Sequence, residues 1–211
     1  RKYLQQLDEQ GVGVNVVHLV PAGAVRNRVI GPINRPPSED ELRQMQSLVA
    51  QGMKDGAWGM STGLIYVPGA YADTDEIASL AEVVAKHGGI YASHIRGEGE
   101  TLLDAVSEAL EIGRKGNLPV HISHFKASGR AHWGSIRAAA QQIEKARAAG
   151  QTVTADQYPY TASSTALAAM VLSSAAREGS NQDLAKRLKD PAKLPKLREE
   201  IAEKLADRVA I

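Results

Sequence analysis

The hydrophobic pattern of the chain alternates between two kinds of segment. Short runs rich in valine, isoleucine and threonine are separated by longer stretches in which apolar residues recur every three or four positions. The short runs predict β-strands and the longer stretches predict amphipathic helices. The five predicted strands are 14–20, 58–67, 89–95, 119–125 and 152–158. Strands that alternate with helices in this way predict an α/β fold built on a parallel sheet.

Residues that cap helices mark where the helical stretches begin. Ser38 and Glu41 have the spacing of a capping box, which predicts a helix that opens there and runs to about Lys54. Asp73 or Thr74 can cap the next helix. Two further amphipathic patterns lie at 99–115 and 135–150. The later part of the sheet is therefore predicted to consist of repeated β/α units.

Two closures of such a sheet are possible, a (β/α)8 TIM-type barrel and an open doubly wound sheet. The usual marker of the open sheet is a G-x-G-x-x-G loop after the first strand, and residues 18–31 do not contain it. A barrel places functional residues at the carboxyl ends of successive strands. Here such residues recur at His94, His124 and Asp156. We therefore predict that residues 1–160 form part of a (β/α)8 TIM-type barrel, with about five of its strands.

The segment 161–211 differs in character from the part that precedes it. Its apolar stretches predict helices and loops rather than further strands. We predict a helical insertion or lid segment that follows the last strand and covers the site. A merely solvated helical extension is the alternative.

Composition narrows the classes of function. The chain has 211 residues, 43% of them hydrophobic, and a net charge of +1, which is typical of a globular protein. It has no run of about 18 apolar residues, so no transmembrane helix is predicted. Scattered charges and few aromatic residues argue against a nucleic-acid partner. The absence of cysteine excludes disulfides and thiolate metal sites, and it fits a cytoplasmic protein.

Two segments share the pattern Ser-His-apolar-basic-x-x-Gly. They are "SHIRGEG" at 93–99 and "SHFKASG" at 123–129. Because alternate residues of a strand face the same side, His94 is predicted to share a face with Arg96, and His124 with Lys126. Neutral imidazole is a common ligand of zinc and similar divalent ions. The pattern therefore predicts a metal site with two nearby cations at one mouth of the barrel.

The same alternation places other residues of the strands. Asp156 and Tyr158 form a third set on the face that is predicted to point to the mouth. His121 has the opposite parity and is predicted to face the helices or solvent. His18 ends the first predicted strand, from which it can reach the mouth.

Each candidate also has a purely structural explanation. A histidine at a strand end often serves only as a hydrogen-bonding residue. Arg96 and Lys126 can form ion pairs with Glu98 or Glu100. For Asp156 we favour a role in which the carboxylate fixes the end of its strand, over a role as acid or base.

Four motifs, in this order, resemble the N-acyl-D-amino-acid deacylases of the amidohydrolase superfamily. They are "STGLIYVPG" from Ser61, "SHIRGEGE" from Ser93, "ISHFK" from Ile122 and "DQYPYTASST" from Asp156. The likeness extends from about residue 14 to about residue 198. It implies a (β/α)8 barrel that carries one or two zinc ions, together with a small β-sandwich.

The resemblance also implies roles for individual residues. His94 and His124 match metal-binding histidines on two adjacent strands. The residues that match substrate-binding positions are Lys126, Tyr158, Ser164 and, less directly, Arg96. Other parts of the family's metal site are absent from this sequence, namely an H-x-H pair, a cysteine and the aspartate of the eighth strand. We therefore expect the catalytic aspartate to lie outside this chain, and the chain to be an internal fragment.

The activity implied by the resemblance is hydrolysis of the amide of an N-acyl-D-amino acid, a small molecule, by a zinc-activated water. The isolated chain is expected to bind zinc weakly, to be inactive alone and to self-associate through exposed sheet edges. Two alternatives stand beside this interpretation. One is a cyclic amidohydrolase of the dihydroorotase or hydantoinase type, and the other is a metal-free scaffold without catalytic activity.

Overall fold

A computed structural model describes residues 2–206 and contains one five-stranded parallel sheet. Its strands are β1 (Leu19–Pro21), β2 (Gly59–Gly63), β3 (Ile90–His94), β4 (Val120–Ile122) and β5 (Val153–Ala155). The strands lie side by side in chain order, and every neighbouring pair is parallel. Sequential parallel strands joined through helices are the arrangement found in part of a (β/α)8 barrel. The predicted fold class is confirmed.

Nine α-helices accompany the sheet within residues 2–206. They are α1 (Lys2–Gln10), α2 (Ala22–Val29), α3 (Glu39–Lys54), α4 (Thr74–Ala85), α5 (Leu102–Gly116), α6 (Ser135–Ala148), α7 (Leu167–Val171), α8 (Asn181–Lys189) and α9 (Leu194–Ala206). None of the described helices is long and apolar enough to cross a membrane.

The predicted caps open the helices α3 and α4. The Ser38 hydroxyl accepts a hydrogen bond from the Glu41 N–H at 3.3 Å, and the Glu41 carboxylate accepts one from the Ser38 N–H at 2.8 Å. The Asp73 carboxylate accepts a hydrogen bond from the Glu76 N–H at 2.7 Å. These bonds satisfy N–H groups that have no partner inside the helix. The predicted capping box and the predicted Asp73 cap are confirmed.

The strands are shorter than the runs that predicted them. The first run contains Val14, Val16 and Val17, which are 72%, 45% and 52% exposed, and the strand begins only at Leu19. The helix α2 follows directly, in a segment for which the hydrophobic pattern predicted no helix. Arg26 of this helix is buried. A charged residue therefore occupies a core position, and the helical pattern of apolar residues is interrupted there.

The two faces of the sheet have different surroundings. Residues on one face pack against the helices and are fully buried, namely Met60, Tyr91, Val120, Ile122 and Val153. On the other face, residues of neighbouring strands lie opposite one another in the order Ser61, Ala92, His121 and Thr154, from β2 to β5. We call this second series the inner face. It corresponds to the lumen side of a barrel, because the helices cover the opposite side.

A buried ion pair joins α2 to α4 behind the sheet. One guanidinium nitrogen of Arg26 donates to both carboxylate oxygens of Glu76 at 2.9 and 2.8 Å, and the other donates to the Arg35 carbonyl at 2.6 Å. Burial raises the pKa of Glu76 above its usual value, and the adjacent Arg26 opposes that rise. The pair fixes the end of the β1 unit against the next unit of the fold.

The segment from residue 161 onward forms its own small apolar cluster. Val171, Leu172 and Leu197 are its buried members. The segment is also hydrogen-bonded to the β/α part of the chain. The bonds join the Tyr66 hydroxyl to the Thr165 hydroxyl (2.7 Å), the Tyr71 hydroxyl to the Ser174 carbonyl (2.7 Å), Arg177 Nη2 to the Ile65 carbonyl (2.8 Å), the Gly179 N–H to the Pro32 carbonyl (2.8 Å) and the Asn34 N–H to the Glu178 carboxylate (2.8 Å). We call residues 161–206 the tail; residues 207–211 of the predicted insertion lie outside the described residues.

Candidate metal centre and adjoining cavity

The two histidines of the repeated motif meet at the carboxyl edge of the sheet. The Nδ1 atom of His94 lies 2.5 Å from the Nε2 atom of His124, and the ring centroids are 4.4 Å apart. His94 is the last residue of β3, whereas His124 lies beyond the end of β4. The sequence therefore identified two residues that the fold brings into contact.

The route by which His124 reaches this position differs from the predicted one. The strand β4 ends at Ile122, which is fully buried on the helix side rather than facing the mouth. His121 lies opposite Ala92 and Thr154 on the inner face, so the predicted parity of His121 is wrong. His124 enters the site because its backbone turns through a φ of +39°, outside the strand. Strand parity no longer applies once the extended backbone has ended.

Asp156 holds this turn in place. One of its oxygens accepts a hydrogen bond from the His124 N–H, and the other lies 2.8 Å from His121 Nε2. Burial acts to raise the pKa of Asp156, but the hydrogen bonds from His121 and the His124 N–H outweigh it and hold the pKa below its usual range. The carboxylate thus connects the end of β5 to the end of β4, in agreement with the structural role that we favoured.

His94 has the properties of a neutral ligand. Burial lowers its pKa to about 4, so the imidazole is uncharged at neutral pH. Its Nε2 atom is buried and has no hydrogen-bond partner among the described residues. A buried polar atom without a partner is uncommon and needs an explanation. A metal ion at this centre would account for the donor set around it.

Glu98 completes a group of three residues that can hold a metal ion. One donor atom from each of His94, Glu98 and His124 lies within 4.8 Å of the others. The Oε1 atom of Glu98 lies 3.0 Å from His124 Nδ1 and 2.6 Å from Lys126 Nζ. The sequence suggested Glu98 only as a partner for a cation. Glu98 lies four residues after His94, in the loop that follows β3. Its proximity to His124 becomes evident only from the three-dimensional structure.

Two tyrosines flank the pair of histidines. The ring of Tyr158 lies 6.4 Å from that of His124, and Lys126 Nζ lies 5.4 Å from the centre of the Tyr158 ring. Tyr66 is on the other side, with its ring 5.2 Å from that of His94. Tyr158 was a predicted site residue. Tyr66 was not, although it belongs to the motif that begins at Ser61.

Three other candidates lie away from the centre. The Arg96 guanidinium donates to Glu108 at 2.8 Å and to the carbonyls of Ala70 and Ala72, so its donors are used within the protein. Ser164 is exposed, and the structure shows no contact between it and the two histidines. His18 precedes β1, at the opposite end of the strand from the mouth, and its ring centroid lies 5.5 Å from that of Tyr3 with the two rings tilted. The predicted reach of His18 to the mouth is therefore wrong.

A cavity of about 720 Å³ opens beside His94. Its walls come from the loops after β1 and β2 and from the tail. The lining residues include Ser61, Tyr66, His94, Arg177 and Asn181. A concave space next to convergent polar groups is the usual setting of a small-molecule site.

Comparison with known proteins gives related sequences of one kind. No protein-family model matches the chain. It is 39% identical over 165 residues to a D-aminoacylase of Alcaligenes xylosoxydans xylosoxydans, an alignment that covers 78% of this chain and 34% of that protein. It is also 39% identical over 165 residues to an N-acyl-D-glutamate deacylase of the same organism, with the same coverage. The chain thus spans about a third of the length of the curated relatives that it matches.

A solved structure shows the same relationship. The N-acyl-D-glutamate deacylase of Bordetella bronchiseptica, complexed with zinc and a phosphonate inhibitor that mimics the tetrahedral intermediate, superposes with a TM-score of 0.72. The two chains are 37% identical, and the match covers 75% of this chain and 33% of the other. The five-stranded sheet and its helices therefore have the architecture of part of that enzyme.

Proposed function

The chain is related to the N-acyl-D-amino-acid deacylases over about a third of their length, and from this premise we propose that the whole protein containing it hydrolyses N-acyl-D-amino acids to a D-amino acid and a carboxylate. The observation that carries the proposal is the contact between His94 and His124 at the carboxyl edge of the sheet. This edge is where barrel enzymes place their catalytic residues.

Zinc is the proposed cofactor, as one or two ions in the whole protein. His94 and His124 would supply nitrogen ligands, and the unpartnered Nε2 of His94 together with its low pKa fits a neutral imidazole kept for a metal. When bound, zinc supplies Lewis-acid polarisation of the acyl carbonyl and an activated water. Two protein ligands are fewer than zinc sites normally have, so the remaining ligands are proposed to come from chain outside this segment.

Glu98 and Asp156 orient the second histidine in this proposal. Glu98 Oε1 lies 3.0 Å from His124 Nδ1, a position from which it can accept the Nδ1 proton and leave Nε2 free to bind metal. Asp156 fixes the backbone of His124 through its N–H group. Carboxylates in such positions commonly set the tautomer and direction of a ligating histidine.

Lys126 is proposed to bind the substrate's α-carboxylate. Its ammonium group lies beside His124, at 3.0 Å from Nδ1, and is held there by Glu98 at 2.6 Å. Tyr158 lines the same side of the centre and is proposed to contact the substrate. Ser164 stays a predicted substrate contact, which requires that the tail moves toward the centre. Arg96 is proposed to act indirectly, because it ties the 70–72 loop to α5 through Glu108.

The segment described here is proposed to be inactive by itself. The family's catalytic aspartate, which would take a proton from water and pass it to the leaving amine, is expected outside this chain. Glu98 is already engaged with Lys126 and His124, and Asp156 with His121 and the His124 N–H. The tail is proposed to serve as a lid segment over the centre, since it is hydrogen-bonded to the loop that carries Tyr66.

The direct test is an assay of the whole protein after zinc loading. We expect release of D-amino acids from N-acetyl-D-amino acids, no release from the L-enantiomers, and no turnover of dihydroorotate or hydantoin. Turnover of a cyclic amide without deacylation would identify a cyclic amidohydrolase instead. Failure to bind zinc at micromolar concentration, measured by elemental analysis after gel filtration, would favour the metal-free scaffold.

Self-association of the isolated chain is proposed from its sheet edges. In the described sheet β1 and β5 each pair on one side only, which leaves backbone groups free to pair with another copy. Sedimentation velocity at increasing concentration should show a rising weight-average mass. A single monomer boundary up to high concentration would contradict this expectation.

A further inference from the structure

His121 lies on the inner face of the sheet with both of its ring nitrogens in contact with polar partners, and the proposed chemistry does not use it. Its Nδ1 atom lies 2.8 Å from the Thr154 hydroxyl, and its Nε2 atom lies 2.8 Å from Asp156 Oδ2. The second oxygen of Asp156 accepts a hydrogen bond from the His124 N–H. A continuous series of contacts therefore runs from β5 through His121 and Asp156 to a proposed zinc ligand.

The main-chain hydrogen bonds around His124 leave its own N–H group to a side chain. The Ser123 N–H donates to the Ser93 carbonyl of β3 at 2.9 Å, whereas the Phe125 N–H donates to the Asp156 carbonyl at 2.8 Å. Between them, His124 has a φ of +39°, in a region that residues other than glycine rarely adopt. Its N–H is bonded to the Asp156 carboxylate, so the direction of that carboxylate determines where the turn lies.

The chemistry of these groups determines which atom donates in each contact. An aspartate carboxylate is ionised at neutral pH and can only accept, so Nε2 of His121 carries the proton that is shared with Asp156. Nδ1 of a neutral imidazole is then an acceptor, and the Thr154 hydroxyl donates to it. The Val120 carbonyl lies 3.5 Å from the same hydroxyl and is the more distant acceptor. Thr154 therefore favours the tautomer of His121 whose N–H group faces Asp156.

The position of the turn affects the metal centre directly. His124 Nε2 lies 2.5 Å from His94 Nδ1, so a shift of the turn changes the distance between two proposed ligands. Groups that orient a ligating histidine contribute to metal affinity without touching the metal. We propose that His121 is a positioning residue of the metal centre, which acts through Asp156 to hold the turn at His124, and that Thr154 sets the tautomer of His121. The proposal rests on the proposed function, because it requires that His94 and His124 bind zinc.

The test measures the zinc dissociation constant of the whole protein by competition with a chelator, with no substrate present. His121→Phe keeps a planar ring without its nitrogens and should raise the dissociation constant by roughly 10-fold, whereas His121→Gln keeps an N–H donor and should stay within about threefold of the unmodified protein. Thr154→Val keeps the shape of threonine without the hydroxyl and should raise the constant by about 3- to 10-fold. Thr154→Ser retains the hydroxyl and should leave it unchanged.

A double variant distinguishes action through Asp156 from an independent effect. Asp156→Ala already removes the acceptor that His121 directs, so the addition of His121→Phe should raise the dissociation constant by less than about twofold more. Independent losses would instead multiply, and that result would contradict action through Asp156. His18→Phe makes the same chemical change before β1, at the far end of that strand, and should leave zinc affinity unchanged.

Cobalt in place of zinc provides a measurement that a loss of stability alone does not change. The visible absorption of bound Co²⁺ depends on the geometry of its ligands, so His121→Phe and Thr154→Val should shift it, and His121→Gln should restore it. An unshifted spectrum in both His121→Phe and Thr154→Val, or an unchanged zinc dissociation constant in both, would overturn the proposal. The two Thr154 variants carry the comparison should His121→Phe fail to fold.

These outcomes are distinct from a failure of the proposed function. A protein that binds zinc but hydrolyses no N-acyl-D-amino acid would overturn the proposed activity, while the zinc affinities of the variants would still decide the role of His121. A protein that binds no zinc at micromolar concentration would overturn both the proposed cofactor and the role of His121.

Discussion

The segments 93–99 and 123–129 have the same pattern of residues and yet build different local structures. In the first, His94 is still part of a strand, and the basic residue two positions later, Arg96, turns away into an ion pair with Glu108. In the second, the strand has already ended, and a backbone turn at His124 brings both the histidine and Lys126 to the centre. A repeated motif thus specifies the residue types, while the residue at which the strand ends determines what each side chain contacts.

We expect the strongest effect from removing a histidine, the residue that both segments contribute to the centre. His94→Ala in the whole protein deletes a proposed ligand and should weaken zinc binding and lower kcat/KM by more than about 100-fold. Zinc affinity by competition with a chelator, together with steady-state kinetics, measures both. His87→Ala, at an exposed position after α4, is the matched control and should change neither quantity. Retained zinc affinity in His94→Ala would remove this residue from the metal site.

The next strongest effect is expected for Lys126, the basic residue of the second segment. Lys126→Met should lower kcat/KM for N-acyl-D-amino acids by roughly 10- to 100-fold, mainly through KM, because a charge-assisted contact to the α-carboxylate is lost. Lys145→Met, an exposed lysine on α6, is the control and should behave as the unmodified protein. An unchanged KM in Lys126→Met would show that the substrate's carboxylate is held elsewhere.

The turn at His124 can be loosened without touching either histidine. Asp156→Ala removes the acceptor of the His124 N–H and the partner of His121. Since carboxylates that orient a ligand commonly contribute 10-fold or more to metal affinity, we expect zinc affinity to fall by about 10-fold. Asp156→Asn keeps an acceptor and should recover part of the loss. Equal zinc affinity in all three proteins would contradict a positioning role.

The smallest effect on catalysis is expected for the basic residue of the first segment. Arg96→Met should leave KM unchanged and instead lower the free energy of unfolding by about 1–3 kcal/mol, because Glu108 and the Ala70 and Ala72 carbonyls lose their partner. Urea denaturation measures the stability change. A rise in KM of the kind expected for Lys126→Met, without a loss of stability, would restore Arg96 as a substrate contact.

The fold was largely predictable because its signals are local. The capping residues Ser38 and Asp73 mark their helices through contacts within four residues, and both predictions are confirmed. The helix α2 escaped prediction because its core position is occupied by Arg26, whose partner Glu76 is 50 residues away. A charged residue is predicted to be exposed unless a buried partner for it is known.

The residues that form the candidate site were easier to predict from the sequence than their arrangement in space. The pairing of His94 with His124 followed from equivalent positions in consecutive β/α units, and the structure brings the two together. The orientation of His121 did not follow, since it depends on the register of β4 against β3 and β5. The place of Arg177 had no local signal at all, because it depends on how the tail docks on a loop more than a hundred residues earlier in the chain.

That docking has a consequence for how such a protein can diverge. Four of the five bonds that join the tail to the β/α part within the described residues use main-chain groups, namely the carbonyls of Ser174, Ile65 and Pro32, the last of them paired with the Gly179 N–H, and the N–H of Asn34. A main-chain acceptor is present whatever the side chain at that position. Mutations in the tail at positions other than Thr165, Arg177 and Glu178, whose side chains make three of these bonds, can therefore alter the lining of the cavity while the attachment persists. To that extent, the substrate preference of this chain can change in evolution without a change in how the tail is attached to the β/α part.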